Sequence, residues 1–142
     1  MKIDEGTRKG IQGHFGYSDK EMELFVNNPR NLDVMSKAPE LMSKTIIIKV
    51  IEAHGCNSGH KAGDRFVFDG AGNLITKLNP KKVCLFALSA LLPLVNAANE
   101  LIYAGVDPNG MRFKRTGCFD TGIHCGGWGH ILMEIQVEER KK

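Results

Sequence analysis

Hydrophobic positions change their spacing along this chain, and the changes mark its elements. Thr45–Ala53 reads Thr-Ile-Ile-Ile-Lys-Val-Ile-Glu-Ala, a β-branched run whose length suits a buried strand. A polar loop over 54–64 and a second strand at Arg65–Asp69 follow. Asp69-Gly70-Ala71-Gly72-Asn73 is predicted to turn the chain, since glycine tolerates the positive φ of a hairpin. Leu74–Lys77 is then a short returning strand. Over 80–104 the spacing becomes helical. Val83, Phe86, Ala87, Ala90, Leu91, Leu94, Ala97, Ala98 and Leu101 form a broad apolar face. Asn79 stands as cap, Pro80 as first helical residue and Gly105 as terminator, with a kink expected at Pro93. Val106–Gly110 reads as a turn and Met111–Arg115 as a strand. Ile131, Met133, Ile135 and Val137 alternate with mostly polar residues, the pattern of a half-buried strand.

The N-terminal third is less regular. Residues 1–17 carry Gly6, Gly10 and Gly13 among alternating charges and read as an arm, mobile or docked on a partner. Ser18-Asp19-Lys20-Glu21 has the capping-box form and opens a short helix to about Asn27. Asn28-Pro29 ends it, because the residue before proline is pushed out of the α region. A further helical piece is predicted over 32–43, interrupted at Pro39. The expected fold class is α+β: a small antiparallel sheet packed on one long helix, with a helical N-terminal extension. Residues 1–44 form the arm and short helices, and residues 45–142 the core of what is overall one domain.

Composition narrows the function classes. With 142 residues, 42% of them hydrophobic, the chain can bury about two-thirds of its unfolded surface and needs no metal or disulfide merely to fold. A net charge of +3, with a basic run only at Arg140-Lys141-Lys142, argues against nucleic acid. The sequence shows no uninterrupted apolar run of the roughly 18–20 residues a bilayer requires, so no membrane partner is expected. Residues 1–15 lack an apolar leader core, and the expected location is cytoplasmic.

Four cysteines in a reducing compartment are thiols, metal ligands or catalytic groups before they are disulfides. Cys56 follows the first strand, Cys84 lies early in the long helix, and Cys118 and Cys125 flank a glycine-rich loop. Thiolate and imidazole suit zinc, and three or four thiolates suit an iron–sulfur cluster. The candidate metal set is Cys56, Cys84, Cys118 and Cys125 with His60 and His124, although the chain has no C-x-x-C pair. A second reading makes one thiol a nucleophile. Cys56 with His60 and Asp64 offers one set, Asp120 is a potential base beside Cys118, and Cys84 has Lys81 and Lys82 nearby. As a fifth helical residue, Cys84 would sit past the strongest dipole field. A third reading is a structural oligomer subunit with inert thiols, docking through Phe15, Tyr17, Trp128 and the arm. His54, ending a strand, reads as structural or solvent-facing, and His14 and His130 carry no context that assigns them a role. The glycine clusters lack the phosphate-loop pattern.

Cys56-Asn57-Ser58-Gly59-His60-Lys61-Ala62-Gly63-Asp64, then Cys84-Leu85-Phe86-Ala87-Leu88-Ser89-Ala90-Leu91-Leu92-Pro93, then Cys118-Phe119-Asp120 resemble a family of small bacterial and archaeal proteins. That family is built on C-x-x-G-H-K-x-G-D, C-x-x-A-L-x-x-L-x-P and a late C-x-D, and the resemblance covers residues 46–120. Asn57 and Phe119 stand where the family usually has proline. Its short members lack both the 1–44 extension and Cys125-Gly126-Gly127-Trp128. The resemblance implies Cys56, Cys84 and Cys118 as the shared set, with Cys125 an addition, and links the chain loosely to anaerobic organisms. It brings no activity with it. The expected function is a metal- or iron–sulfur-binding small subunit or accessory protein of a larger, anaerobic enzyme system. The alternative is a small enzyme using a thiolate with Cys56, His60 and Asp120 as its catalytic groups. The expected partner is that larger subunit or a second copy of the chain.

Overall fold

The computed structural model describes residues 2–142. The chain forms two compact units, the first ending at Pro39 and the second starting at Glu40. In the first, the segment read as an arm is helical: α1 spans Glu5–Phe15. Its boundaries have plain causes. The Asp4 carboxylate accepts the Thr7 N–H at 2.9 Å, and Gly16 adopts a φ of 72° just past the last turn, a conformation that favours glycine. The weak apolar periodicity of 1–17 hid this helix. Helix α2, Asp19–Val26, has the expected capping box, with Ser18 and Glu21 satisfying each other's backbone N–H groups. Helix α3 starts at Pro29, a favoured first position, and runs through Pro39 to Met42.

The second unit is an α+β layer. Strands β1 (Lys44–His54), β2 (Arg65–Asp69), β3 (Arg115–Gly117) and β4 (His130–Glu139) form one sheet in the order β2-β1-β4-β3. Every neighbouring pair is antiparallel. Helix α4, Leu85–Tyr103, presents Ala87, Leu91, Leu94, Ala98 and Ile102 as its buried stripe. Those side chains join Ile46, Ile48, Val50, Phe66, Ile131, Met133 and Ile135 in one core. Burying a leucine or isoleucine contributes about 1.5–3 kcal/mol, so this layer carries most of the unit's stability. By length and composition alone α4 meets the requirement for crossing a bilayer, and 28% of that stretch is buried in the fold.

Three local expectations are corrected. Leu74 makes a single bridge to Phe68, and Thr76–Leu78 is a 3-10 turn rather than part of a strand. Asn79 caps no helix: its amide accepts the Val67 N–H at 2.9 Å and donates to the carbonyls of Val67 and Ile75 at 2.9 and 2.7 Å. With Asn79 held against β2, Pro80–Val83 stays outside the helix and Cys84, in extended conformation, becomes the N-cap of α4. The third strand lies at 115–117, later than 111–115. Pairing with β4 sets this position, with Gly117 opposite Leu132.

One irregularity shapes the functional end. Val50 pairs with Met133 but Glu52 pairs with Leu132, a bulge that leaves Ile51 unpaired. Beside it the 55–64 loop is clipped to the strand, with Val50 N–H donating to Asp64 O and Gly63 N–H to Val50 O, both at 2.8 Å.

Candidate functional site

Three loops and a helix start meet beyond the end of β1 and the beginning of β4. They enclose a cavity of about 370 Å³ lined by Cys56, Ser58, His60, Cys84, Phe86, Cys118, Asp120, Trp128 and His130, among others. Cys56, Cys84 and Cys118, far apart in sequence, thus face one cavity. Its volume falls in the range of small-molecule sites.

Glycines permit the convergence. A methyl group on Gly129 would stand 2.0 Å from the Gly55 carbonyl oxygen, so only glycine lets the 127–129 backbone lie against the turn that carries Cys56. A methyl on Gly117 would stand 2.5 Å from the His130 ring, which therefore lies over β3. Asp120 organises the same loop. Its carboxylate accepts N–H groups from Gly122 at 3.0 Å, Trp128 at 2.9 Å and Gly129 at 3.0 Å. These donors hold its carboxyl below the usual 3.8. A carboxylate so engaged is a poor proton acceptor, and its geometry is that of a loop organiser.

His60 is 4% exposed and stands edge-on to Phe66, ring centroids 5.0 Å apart. Its Nε2 accepts the Cys84 backbone N–H at 3.3 Å, and its Nδ1 lies 3.9 Å from the Asp64 carboxylate. Those partners assign the proton to Nδ1. His60 therefore fixes the start of α4, and with it Cys84; the nitrogen facing Cys84 is occupied by the backbone.

Cys84 is the most electronically distinctive thiol. Burial pushes its pKa up, but the Ala87 N–H, the Ser58 hydroxyl and the Phe86 N–H oppose this and bring it below the ordinary 9.0. The sulfur makes no cap hydrogen bond; the Phe86 and Ala87 N–H groups belong to the open first turn of α4, where the helix field favours an anion. Starting α4 at Leu85 moves Cys84 from the fifth helical position to the cap, where that field is strongest.

Cys118 has a different setting. Its sulfur accepts the Ile131 N–H at 3.4 Å and lies 3.6 Å from His130 Nδ1. His130 Nδ1 also makes a very short contact with the Asp120 carbonyl oxygen, which can only accept, so Nδ1 carries the proton. His130 had no role in the sequence reading. The signal was the hairpin itself: once 115–117 pairs with 132–134, residues 118 and 130 must be neighbours.

The remaining candidate ligands lie elsewhere. Cys125 and His124 belong to an exposed 3-10 turn at Ile123–Cys125 and do not line the cavity. Among the described residues, no group of three or more His, Cys, Asp or Glu side chains stands close enough to share a metal ion. Cys56, Cys84 and Cys118 nevertheless line one cavity. No family model, no characterised protein and no solved structure matches this chain.

Proposed function

We propose that this chain is a small thiol-dependent enzyme in which the Cys84 thiolate is the nucleophile. The observation that supports it is Cys84 at the N-cap of α4, facing a cavity of ligand size, with two backbone N–H groups and a hydroxyl favouring its ionised form. His60 is a positioning residue that holds the Cys84 backbone, and Asp120 keeps the loop bearing Trp128 and Gly129 against the cavity. Pulse alkylation of the reduced protein with iodoacetamide, read by peptide mass spectrometry, tests this. Cys84 should be modified first, with its rate midpoint below pH 9.0; equal, slow labelling of Cys56, Cys84 and Cys118 would end the proposal.

A second reading keeps one observation in its favour: the three thiols of the family-like motif share a cavity. On that reading the chain is a zinc- or cluster-binding accessory subunit of a larger enzyme. Anaerobically purified protein would then be brown or carry stoichiometric zinc. Cys84→Ala would lose the metal and Cys125→Ala would keep it. Metal-free protein with a fast Cys84 favours the thiolate enzyme.

A further inference from the structure

Phe86, Asp120 and Trp128 line both the thiol cavity and a second, open hollow of about 490 Å³ beside it, whose wall also includes Phe119. Phe86, Phe119 and Trp128 are 59%, 78% and 74% exposed, an unusual concentration of large aromatic surface around one opening. Phe86 and Phe119 are stacked on each other, with centroids 6.0 Å apart and an interplanar angle of 27°, so an aromatic pair borders the opening. No lysine or arginine lines either hollow. Asp120, the one carboxylate there, is held by three backbone amides. Neither wall offers a lysine or arginine to an anionic ligand, and the exposed side-chain area around the opening is mainly aromatic.

Resting on the thiolate reading above, we infer that the natural ligand is a flat, uncharged aromatic molecule. Its ring lies against Phe86, Phe119 and Trp128 while one edge reaches Cys84. Neighbouring hollows of this size suit a small molecule, and aromatic rings prefer offset-stacked or edge-on neighbours. A helix or strand of a partner would bind through a broader surface than the mouth of a cavity.

Arylated thiol reagents test this on the full, reduced chain. In maleimide addition the thiolate sulfur forms a C–S bond, the ring's C=C π pair shifts toward a carbonyl oxygen, and solvent supplies the proton to the neighbouring carbon. N-phenylmaleimide and N-methylmaleimide undergo this same step and differ in the ring they carry. The phenyl-to-methyl rate ratio at Cys84, followed by mass spectrometry, should exceed the ratio measured with glutathione by about tenfold. Phe119→Leu and Trp128→Leu, both at exposed positions, should each move it back toward the glutathione value. A wild-type ratio equal to that of glutathione would overturn the aromatic-ligand inference while leaving a fast Cys84 intact. Slow reaction with both reagents would remove the thiolate reading and this inference with it. Dissociation of a dimer by Phe119→Leu, seen by sedimentation with the ratio unchanged, would make the rim a self-association surface and overturn the inference.

Discussion

At the start of β1 and the end of β4 lies a cavity of about 470 Å³; the smaller thiol pocket lies at the other end of the same two strands. The larger one is lined by Glu40, Lys44, Asp107, Glu138 and Glu139, and its charges already have partners. Lys44 bonds Glu40 at 2.9 Å and also Glu139. Asn109 closes that end by donating to the Val137 carbonyl at 2.8 Å and accepting its N–H at 2.9 Å. The thiol end is closed differently, by glycine backbone packed on backbone, and Cys56, Cys84 and Cys118 line its cavity. The two ends therefore differ less in cavity size than in the chemistry of their walls, ion pairs at one and thiols at the other. One end of the sheet is closed by ion pairs, and the other carries the cavity to which the proposed chemistry is assigned.

Exchange of one atom tests that contrast most severely. Cys84→Ser should abolish the fast alkylation phase, whereas Lys44→Met at the opposite end should leave it in place. A fast phase that survives in Cys84→Ser would move the reactive centre to Cys56 or Cys118 and break the comparison as drawn.

Gly129→Ala comes next. Its methyl would collide with the backbone at Gly55, and overpacking of this kind costs about 1–3 kcal/mol, measurable by urea denaturation. Alkylation of Cys84 should also slow if the loop withdraws. Unchanged stability would mean that the close approach of the two loops is not what holds the pocket.

Acid sharpens the comparison. Because the folded Asp120 carboxyl lies below 3.8, its contribution is fully present above the unfolded value and is lost as pH falls through the folded one. The fluorescence of Trp128, the only tryptophan, should report loosening of the loop below pH 3.8. Asp120→Asn should lose this acid step, leaving a loop that is already looser at neutral pH.

The smallest effect is expected at the charged end. Glu139 and Glu40 raise the Lys44 pKa above 10.5, so its stabilisation is present below the unfolded value and lost as pH rises through the folded one. Lys44→Met should flatten the alkaline limb of the stability profile, and added salt should reduce the difference between variants. A salt-independent difference would point to packing of the lysine stem instead.

Different parts of the chain were legible to different degrees. Strand β1, the alternation of β4 and the capping box at Ser18 could be read directly, because each depends on neighbours within one element. Helix α1 was missed because its apolar periodicity is weak, although its Asp4 cap and its terminating Gly16 were both visible. The start of α4 was misread for a different reason. Asn79 and Pro80 have the form of a helix start, but the Asn79 amide is held by Val67, a residue of another element. The site was legible in composition rather than in geometry. The sequence named Cys56, Cys84 and Cys118, while the exclusion of His124 and Cys125 from the cavity and the presence of His130 depend on the β3–β4 register.

By itself the sequence determined the α+β class, the helix that fills the core and the thiols capable of chemistry, since these follow from local spacing and side-chain type. Only the tertiary structure decided that Cys84 caps α4, that Asp120 organises a loop, and that three distant thiols share one cavity beneath an aromatic rim. Those outcomes turn on which backbone N–H and carbonyl groups are claimed by partners remote in the chain, and that competition is resolved only when the sheet closes.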